Sequence, residues 1–224
     1  MKMKRIISQF LNPIKNNKYI IKFLRKPFNT WFLSRFSYKK SASKEAKIWL
    51  NQKHYKIDFY EETTSKYVSS FINYLLLNTS KEDVILDICC NQGRFLKALH
   101  QNGYHSLMGV DIMKEAILNL QNSKEYNSGG IFAKVGLVQD YLTGMKNQSI
   151  DYAITYSATI ELVHPGFNIF KELSRITRKG FIFVINENGH TYPRFYRYLI
   201  KSNQFKFKCI KQYGKNLTLM HVIK

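Results

Sequence analysis

The segment DVILDICCNQGRF, residues 83–95, decides how this chain is read. Val84, Ile85, Leu86 and Ile88 make a short apolar run of strand length, with Asp87 set into it. Cys89 to Gly93 then supply the small and polar residues of a tight turn, and a helical pattern over 93–102 ends at Gly103. A strand that turns directly into a helix is the opening of a βαβ unit.

Outward from that segment the alternation continues. SLMGVD (106–111) predicts a second strand and 113–121 a helix. IFAKVGLV (131–138) predicts a third strand and IDYAITY (150–156) a fourth. A helix over 166–178, closed by Gly180, precedes a fifth strand, FIFVIN (181–186). A helix over 193–202 starts with Pro193 in its first turn. FKFKCIKQY and NLTLMHVI, joined at Gly214-Lys215, read as a terminal β-hairpin. Strands separated by helices imply a parallel sheet, to which the hairpin adds an antiparallel edge. The expected fold is a Rossmann-like three-layer α/β sandwich with a mostly parallel seven-stranded sheet. Residues 1–42 read as a basic amphipathic extension and residues 43–224 as the domain, which two helices (43–56 and 60–77) lead into.

In such sheets a ligand binds at the carboxyl ends of the strands, near the point where strand order reverses. Asp111 ends the second strand 18 residues after Gly93. A small-residue turn followed at about that distance by an acid suits a nucleotide whose ribose hydroxyls the acid accepts. NAD and S-adenosylmethionine both meet that requirement. A dinucleotide also needs GxGxxG so that the helix N-terminus can carry pyrophosphate, and Cys89, Asn91 and Arg94 stand in those three places. The dinucleotide is excluded. Asp111 equally suits an N-cap for the helix 113–121.

These residues resemble the class I S-adenosylmethionine-dependent methyltransferases, in particular the group of small-molecule and quinone-biosynthesis methyltransferases. The resemblance covers roughly residues 58–224. The family's first motif, Asp-x-Gly-Cys-Gly-x-Gly, is matched by Asp87, Cys90 and Gly93, with Cys89 and Asn91 in place of the two earlier glycines. GVDI (109–112) is similar to the ribose-binding motif, and Gln139-Asp140-Tyr141 to the segment that contacts the adenine amine. SIDYAITYSATIELVHP (149–165) resembles the fourth strand and its acceptor loop. RKGFIF (178–183) is similar to the stretch entering the fifth strand, without the usual proline.

The resemblance implies S-adenosyl-L-methionine as cofactor. Asp87, Cys89, Asn91 and Gly93 would line or anchor the loop under its methionine part. Asp111 and Ile112 would meet the ribose, Asp140 and Tyr141 the adenine, and Tyr156 the floor near the sulfonium. Cys90 reads as a buried small apolar residue. Asp140 also suits a surface helix cap. On the acceptor side His164 is the candidate general base with Glu161 behind it, although His164 reads equally as a structural histidine. Cys89 and Asn91 together leave open a partner protein that keeps the fold without catalysis.

Composition bounds the rest. The 224 residues are 45% hydrophobic and 22% charged, which excludes collagen-like, coiled-coil and mostly disordered chains. Three cysteines without CxxC or Cys/His spacing give neither a disulfide framework nor a zinc site, and a reduced cytoplasmic setting is expected. The opening MKMKR is followed too soon by Asn12, Pro13 and Lys15 for a signal peptide. The net charge of +20 is uneven. Residues 1–50 carry 13 Lys and Arg against one acid, and residues 171–224 carry 12 against two. Between them ten cations face twelve acids. Two basic ends predict an anionic contact: lipid headgroups at an inner membrane surface, through residues 1–40, or RNA phosphates. The preference for Lys over Arg also fits an A/T-rich genome, and the apolar stripe of residues 1–40 also suits packing on the chain's own core. The predicted acceptor is a small molecule, lipid-linked precursor or glycan; an RNA acceptor is the alternative.

Overall fold

The computed structural model describes residues 66–157, 159–164, 166–187, 192, 196–213 and 217–224. The expected basic extension and the helix over 43–56 lie outside them. Helix α1 (Lys66–Asn78) leads into strand β1 (Ile85–Ile88), helix α2 (Arg94–Gln101) and strand β2 (Leu107–Asp111). Helices α3 (Lys114–Gln121) and α4 (Lys124–Asn127) precede β3 (Ile131–Val135). There follow α5 (Val138–Gly144), β4 (Ile150–Tyr156), α6 (Ile169–Ile176) and β5 (Thr177–Ile185). Helix α7 (Tyr196–Ser202) leads to the hairpin of β6 (Lys206–Tyr213) and β7 (Leu217–Ile223).

The seven-stranded sheet has the order β3-β2-β1-β4-β5-β7-β6. Strands β1 to β5 are parallel, and β7 enters antiparallel between β5 and β6. The Rossmann-like three-layer sandwich expected from the alternation is the observed fold. From β1 the chain winds outward to β3, then returns to β4 and winds the other way, so the switch point lies between β1 and β4.

Both faces of the sheet are covered, which is why its strands are apolar runs rather than alternating ones. Phe181, Phe183 and Ile185 pack on the face covered by α5, α6 and α7. Ile182 and Val184 pack on the face covered by α1, α2 and α3. Helix α6 shows how sequence spacing does this: Ile169, Phe170, Leu173 and Ile176 recur at helical spacing and are all buried. Each such side chain contributes roughly 2 kcal/mol by leaving water.

Two boundaries differ from the sequence reading. The third strand stops at Val135, because Gly136 breaks it and Val138 and Leu142, four residues apart, turn the chain into α5. Gly180 does not close a helix. The helix ends at Ile176 and Gly180 sits inside β5, opposite Ile223 of β7. Short helix α4, absent from the sequence reading, is capped by Ser123, whose side chain accepts from the Tyr126 amide.

At the amino ends of the central strands, Arg178 donates to Asp151 through Nε (2.9 Å) and Nη2 (2.6 Å). Asp151 also accepts from the Val84 amide at 3.0 Å, while Lys179 bonds Asp83. The Arg178 bond, the amide and the two cations hold the Asp151 carboxyl below its ordinary range against the opposing effect of burial. A carboxylate whose folded pKa is depressed stabilises the fold above its unfolded value of about 3.9 and loses that contribution as pH falls through the folded value. Asp151→Asn is therefore expected to lower stability by about 2 kcal/mol at pH 7. Urea melts at pH 7 and pH 3 should show the gap between variant and parent narrowing at the lower pH.

No helix among the described residues is long and apolar enough to cross a membrane.

Candidate active site

The loop between β1 and α2 sits at the switch point, and its backbone is unusual. Cys89, Asn91 and Gly93 all have positive φ, at 58°, 50° and 70°. These are the positions of the three glycines in the motif Asp-x-Gly-Cys-Gly-x-Gly. The left-handed conformation costs a non-glycine residue roughly 1–2 kcal/mol, and asparagine bears it better than most. Asn91 compensates locally, its Oδ1 accepting from the Gln92 amide at 2.7 Å. A Cβ at Gly93 would lie 2.6 Å from Leu120 Cδ1, so a side chain there would both strain the left-handed backbone and displace the buried tip of Leu120. Cys90 is 5% exposed and packs over Gly109, where a Cβ would come within 2.7 Å of its Sγ. The loop thus keeps a glycine-loop course with two of its glycines replaced.

Asp111, at the end of β2, fastens this loop. Its Oδ2 accepts from the Asn91 amide at 2.8 Å and its Oδ1 from the Met113 amide at 2.9 Å. Burial pushes the Asp111 carboxyl up, and backbone bonds from Met113, Asn91 and Ile112 oppose that. A carboxylate has about four lone-pair positions, so these three bonds leave one. Beside it opens a cleft of about 360 Å³, counted to its open mouth, lined by Asp87, Cys89, Cys90, Asn91, Gln92, Arg94, Phe95 and Tyr156. Asp87 is 2% exposed, and its Oδ2 is buried without a hydrogen-bond partner. Burial raises the Asp87 carboxyl well above the ordinary carboxylate range, Asp111 adds to this, and Arg94 opposes it.

Residues 85–180 match the family described as "Methyltransferase domain". Solved structures agree with it in fold. WbdD is 20% identical over 73% of this chain, with a TM-score of 0.54, and the chain spans 40% of WbdD's length. Magnesium protoporphyrin IX methyltransferase from Synechocystis PCC 6803, solved with bound S-adenosylmethionine, is 15% identical over 70% of this chain and 77% of its own, at 0.55. An S-adenosylmethionine-dependent methyltransferase from Mesorhizobium loti is 10% identical over 75% of this chain and 100% of its own, at 0.57. Residues 85–180 thus match a methyltransferase-domain family, and the fold is the one those solved methyltransferases share. No curated protein matches the chain by sequence.

The polar groups at the cleft suit S-adenosylmethionine, the molecule bound in the Synechocystis structure. The orphaned carboxylate oxygen of Asp87 suits a cationic group, and the methionine end of the cofactor carries an ammonium. The remaining lone pair of Asp111 suits a ribose hydroxyl. The structure brings Asp87, Cys89, Asn91 and Tyr156 to one cleft; Gly93 and Asp111 are not among its lining residues, and Asp111 reaches it through its bond to the Asn91 amide. Tyr156 forms an aromatic wall with Phe95, their ring centroids 5.5 Å apart.

The other sequence candidates lie elsewhere. Ile112 is half-buried beside Asp111. Asp140 is exposed in the first turn of α5, and Tyr141 packs partly against the core. Both thus stand on a helix instead of at the end of the third strand. Glu161 is fully buried, and its Oε1 accepts from the Asn186 amide at 2.7 Å, tying the loop after β4 to the end of β5. His164 Nδ1 accepts from the Gly166 amide at 3.1 Å, and its ring meets Tyr192 edge-on at 5.7 Å. With Nδ1 accepting, the neutral ring carries its proton on Nε2 and is a donor there.

Sequence reasoning passed over Gln92, Arg94 and Phe95, which line the cleft. They follow or interrupt the motif's fixed positions, so matching the motif alone does not single them out. The detectable signal was an arginine and an aromatic directly after the last glycine. Among the described residues no group of three or more His, Cys, Asp or Glu is placed to hold a metal ion.

Proposed function

We propose that this chain is an enzyme that moves the methyl group of S-adenosylmethionine to a small-molecule, lipid-linked or glycan acceptor. One observation carries the methyltransferase reading: three left-handed loop positions held by Asp111 above a cleft with a buried, unpartnered carboxylate oxygen. A chain that had abandoned the cofactor would have no need to keep Cys89 and Asn91 in an unfavourable conformation.

The bound cofactor supplies a methyl group activated on positively charged sulfur. The residues of this chain bind, orient and exclude water, the contributions on which an in-line displacement chiefly depends. Asp111 accepts from a ribose hydroxyl and Asp87 faces the ammonium. Tyr156 and Phe95 shield one side of the cleft. Glu161 positions the loops after β4 and β5, where an acceptor would approach, and His164, on the same loop, is the candidate general base. Asp140 is accessible for a contact with the adenine amine.

The acceptor class is supported by two features. The loop after β4 reads Ser157-Ala-Thr-Ile and lacks the Asn/Asp-Pro-Pro-Tyr/Phe arrangement that holds an amine of a nucleobase. Among the similar structures, magnesium protoporphyrin IX methyltransferase is named for a small-molecule acceptor, and WbdD is titled a bifunctional kinase-methyltransferase. A peripheral location at an anionic membrane is part of this proposal, resting on the basic residues 1–40.

Incubation with methyl-tritiated S-adenosylmethionine and a fractionated cell extract tests the acceptor. Label is expected in the nuclease-resistant small-molecule or lipid fraction. Label recovered only in RNA would overturn the acceptor assignment while leaving the cofactor intact.

A further inference from the structure

The two edges of the sheet differ in chemistry. Beyond Glu187 the chain carries eight Lys and Arg and no acid, and the edge strand β6 lies in that stretch. It pairs with β7 alone, so among the described residues its other side is open. Lys206, Lys208 and Lys211 of β6 are exposed, and none of them pairs with a carboxylate among the described residues. Register brings them together. Lys206 stands opposite Ile223 and Lys211 opposite Leu219, which are four residues apart on β7 and therefore on one face of the sheet. The two lysines share that face although they are five residues apart, because the register shifts between Phe207 and Cys209, with Lys208 at the shift. Ile210, opposite Met220, faces the other side and is 38% exposed. Helix α7 packs on that side and leaves Tyr198 exposed. The opposite edge strand, β3, has one lysine, Lys134, whose ammonium lies over the Phe132 ring.

An aliphatic side chain among lysines suits a layer of anionic headgroups, where ammonium groups meet phosphates and apolar groups reach the acyl boundary. Single-stranded nucleic acid needs free aromatic faces on which its bases stack. The aromatics interleaved with these lysines do not offer them: Phe205 and Tyr213 are buried and Phe207 is half-buried. Lysine on an edge strand also deters pairing with other chains, a use indifferent to the sign of the charge.

We propose that the β6 edge, through Lys206, Lys208 and Lys211, docks on an anionic lipid surface. This deepens the peripheral location proposed above and assigns it a surface on the folded domain, separate from residues 1–40.

The test is co-sedimentation of the full chain with vesicles of phosphatidylcholine and phosphatidylglycerol, against vesicles of phosphatidylcholine alone. The parent should bind the anionic vesicles and leave them as salt rises, since salt screens exposed charges. Lys206→Glu, Lys208→Glu and Lys211→Glu together keep a charged edge and reverse its sign. They should weaken binding by more than about 100-fold, given what each basic side chain contributes at an anionic surface. Lys206→Gln, Lys208→Gln and Lys211→Gln serve if the reversed edge does not fold, and should cost about 100-fold. Lys124→Glu, Lys134→Glu and Lys146→Glu, at exposed positions away from β6, change the net charge as much as the reversed edge and should cost less than about 10-fold. Equal binding by the edge and control variants would overturn the inference. Loss of binding only in Lys15→Glu, Lys18→Glu and Lys22→Glu would overturn it too, leaving the membrane contact to residues 1–40. A parent that ignores anionic vesicles overturns the peripheral location itself. If that parent instead binds single-stranded RNA through the three β6 lysines, nucleic acid takes the place of lipid.

Discussion

Gly180→Ala is expected to leave little or no folded protein. Gly180 has φ of +150° within β5, and a Cβ there would lie 2.0 Å from the Val222 carbonyl oxygen and 2.9 Å from Ile223 Cα. Both obstacles are backbone atoms of β7, so no rotamer change relieves the clash. Strand β7 would have to move away from β5, exposing the row it buries: Leu219, Met220, His221 and Val222 are each at most 1% exposed. Loss of that packing and of the pairing exceeds about 4 kcal/mol, a large share of a domain's total stability. Circular dichroism should show a melting temperature lowered by well over 10 °C, or no cooperative transition. Gly144→Ala is the control. It lies at the end of α5 with nothing within 4 Å of its would-be Cβ. Its melting temperature should stay the same or rise, because alanine is the better helix former by up to about 1 kcal/mol.

Asp111→Ala is expected to have the largest effect on function. The aspartate does two things that the substitution separates poorly: it accepts the Asn91 and Met113 amides and offers its remaining lone pair to the ribose. Losing the amide bonds should cost about 2 kcal/mol of stability, and losing the charge-assisted contact to the ribose on the order of 100-fold in affinity. Asp111→Asn keeps one accepting oxygen and turns a donor toward the other amide, so it should retain only part of the loop's stability and still bind poorly. Thermal melts with and without S-adenosylhomocysteine at 100 times the parent's dissociation constant check this. The parent should gain the equivalent of about 2.7 kcal/mol, and Asp111→Ala little or nothing. A full ligand-induced shift in Asp111→Ala would mean that the ribose is held by other groups.

Much of this was legible in the chain, for identifiable reasons. The strands of a doubly covered sheet are continuous apolar runs, and β1, β2 and β4 were placed to within two residues because turn residues bracket them. Boundaries failed where one residue had two physical uses. Gly180 reads as a helix stop because glycine commonly ends helices, yet its use here is to admit a neighbouring backbone. Gly136 sits inside a seemingly continuous apolar run whose second half, Val138 and Leu142, is helical. In the site, the motif's fixed positions led to Asp87, Cys89, Asn91, Gly93 and Asp111. The conformation of Cys89 and Asn91 could not be read from composition. Residue type argued against left-handed backbone at Cys89, and only the surrounding hydrogen bonds decide it. Glu161, a candidate behind His164 by its place after the fourth strand, is completely buried and accepts from the Asn186 amide, an environment that sequence spacing does not express.

The account centres on a cofactor site that survives two glycine replacements, and calorimetric titration of the unmodified protein with S-adenosylhomocysteine tests it most directly. Saturable binding at one site, with a dissociation constant on the order of 10 μM or tighter, is the predicted result. A folded, cooperatively melting protein that releases no heat and gains no thermal stability with millimolar ligand would contradict it.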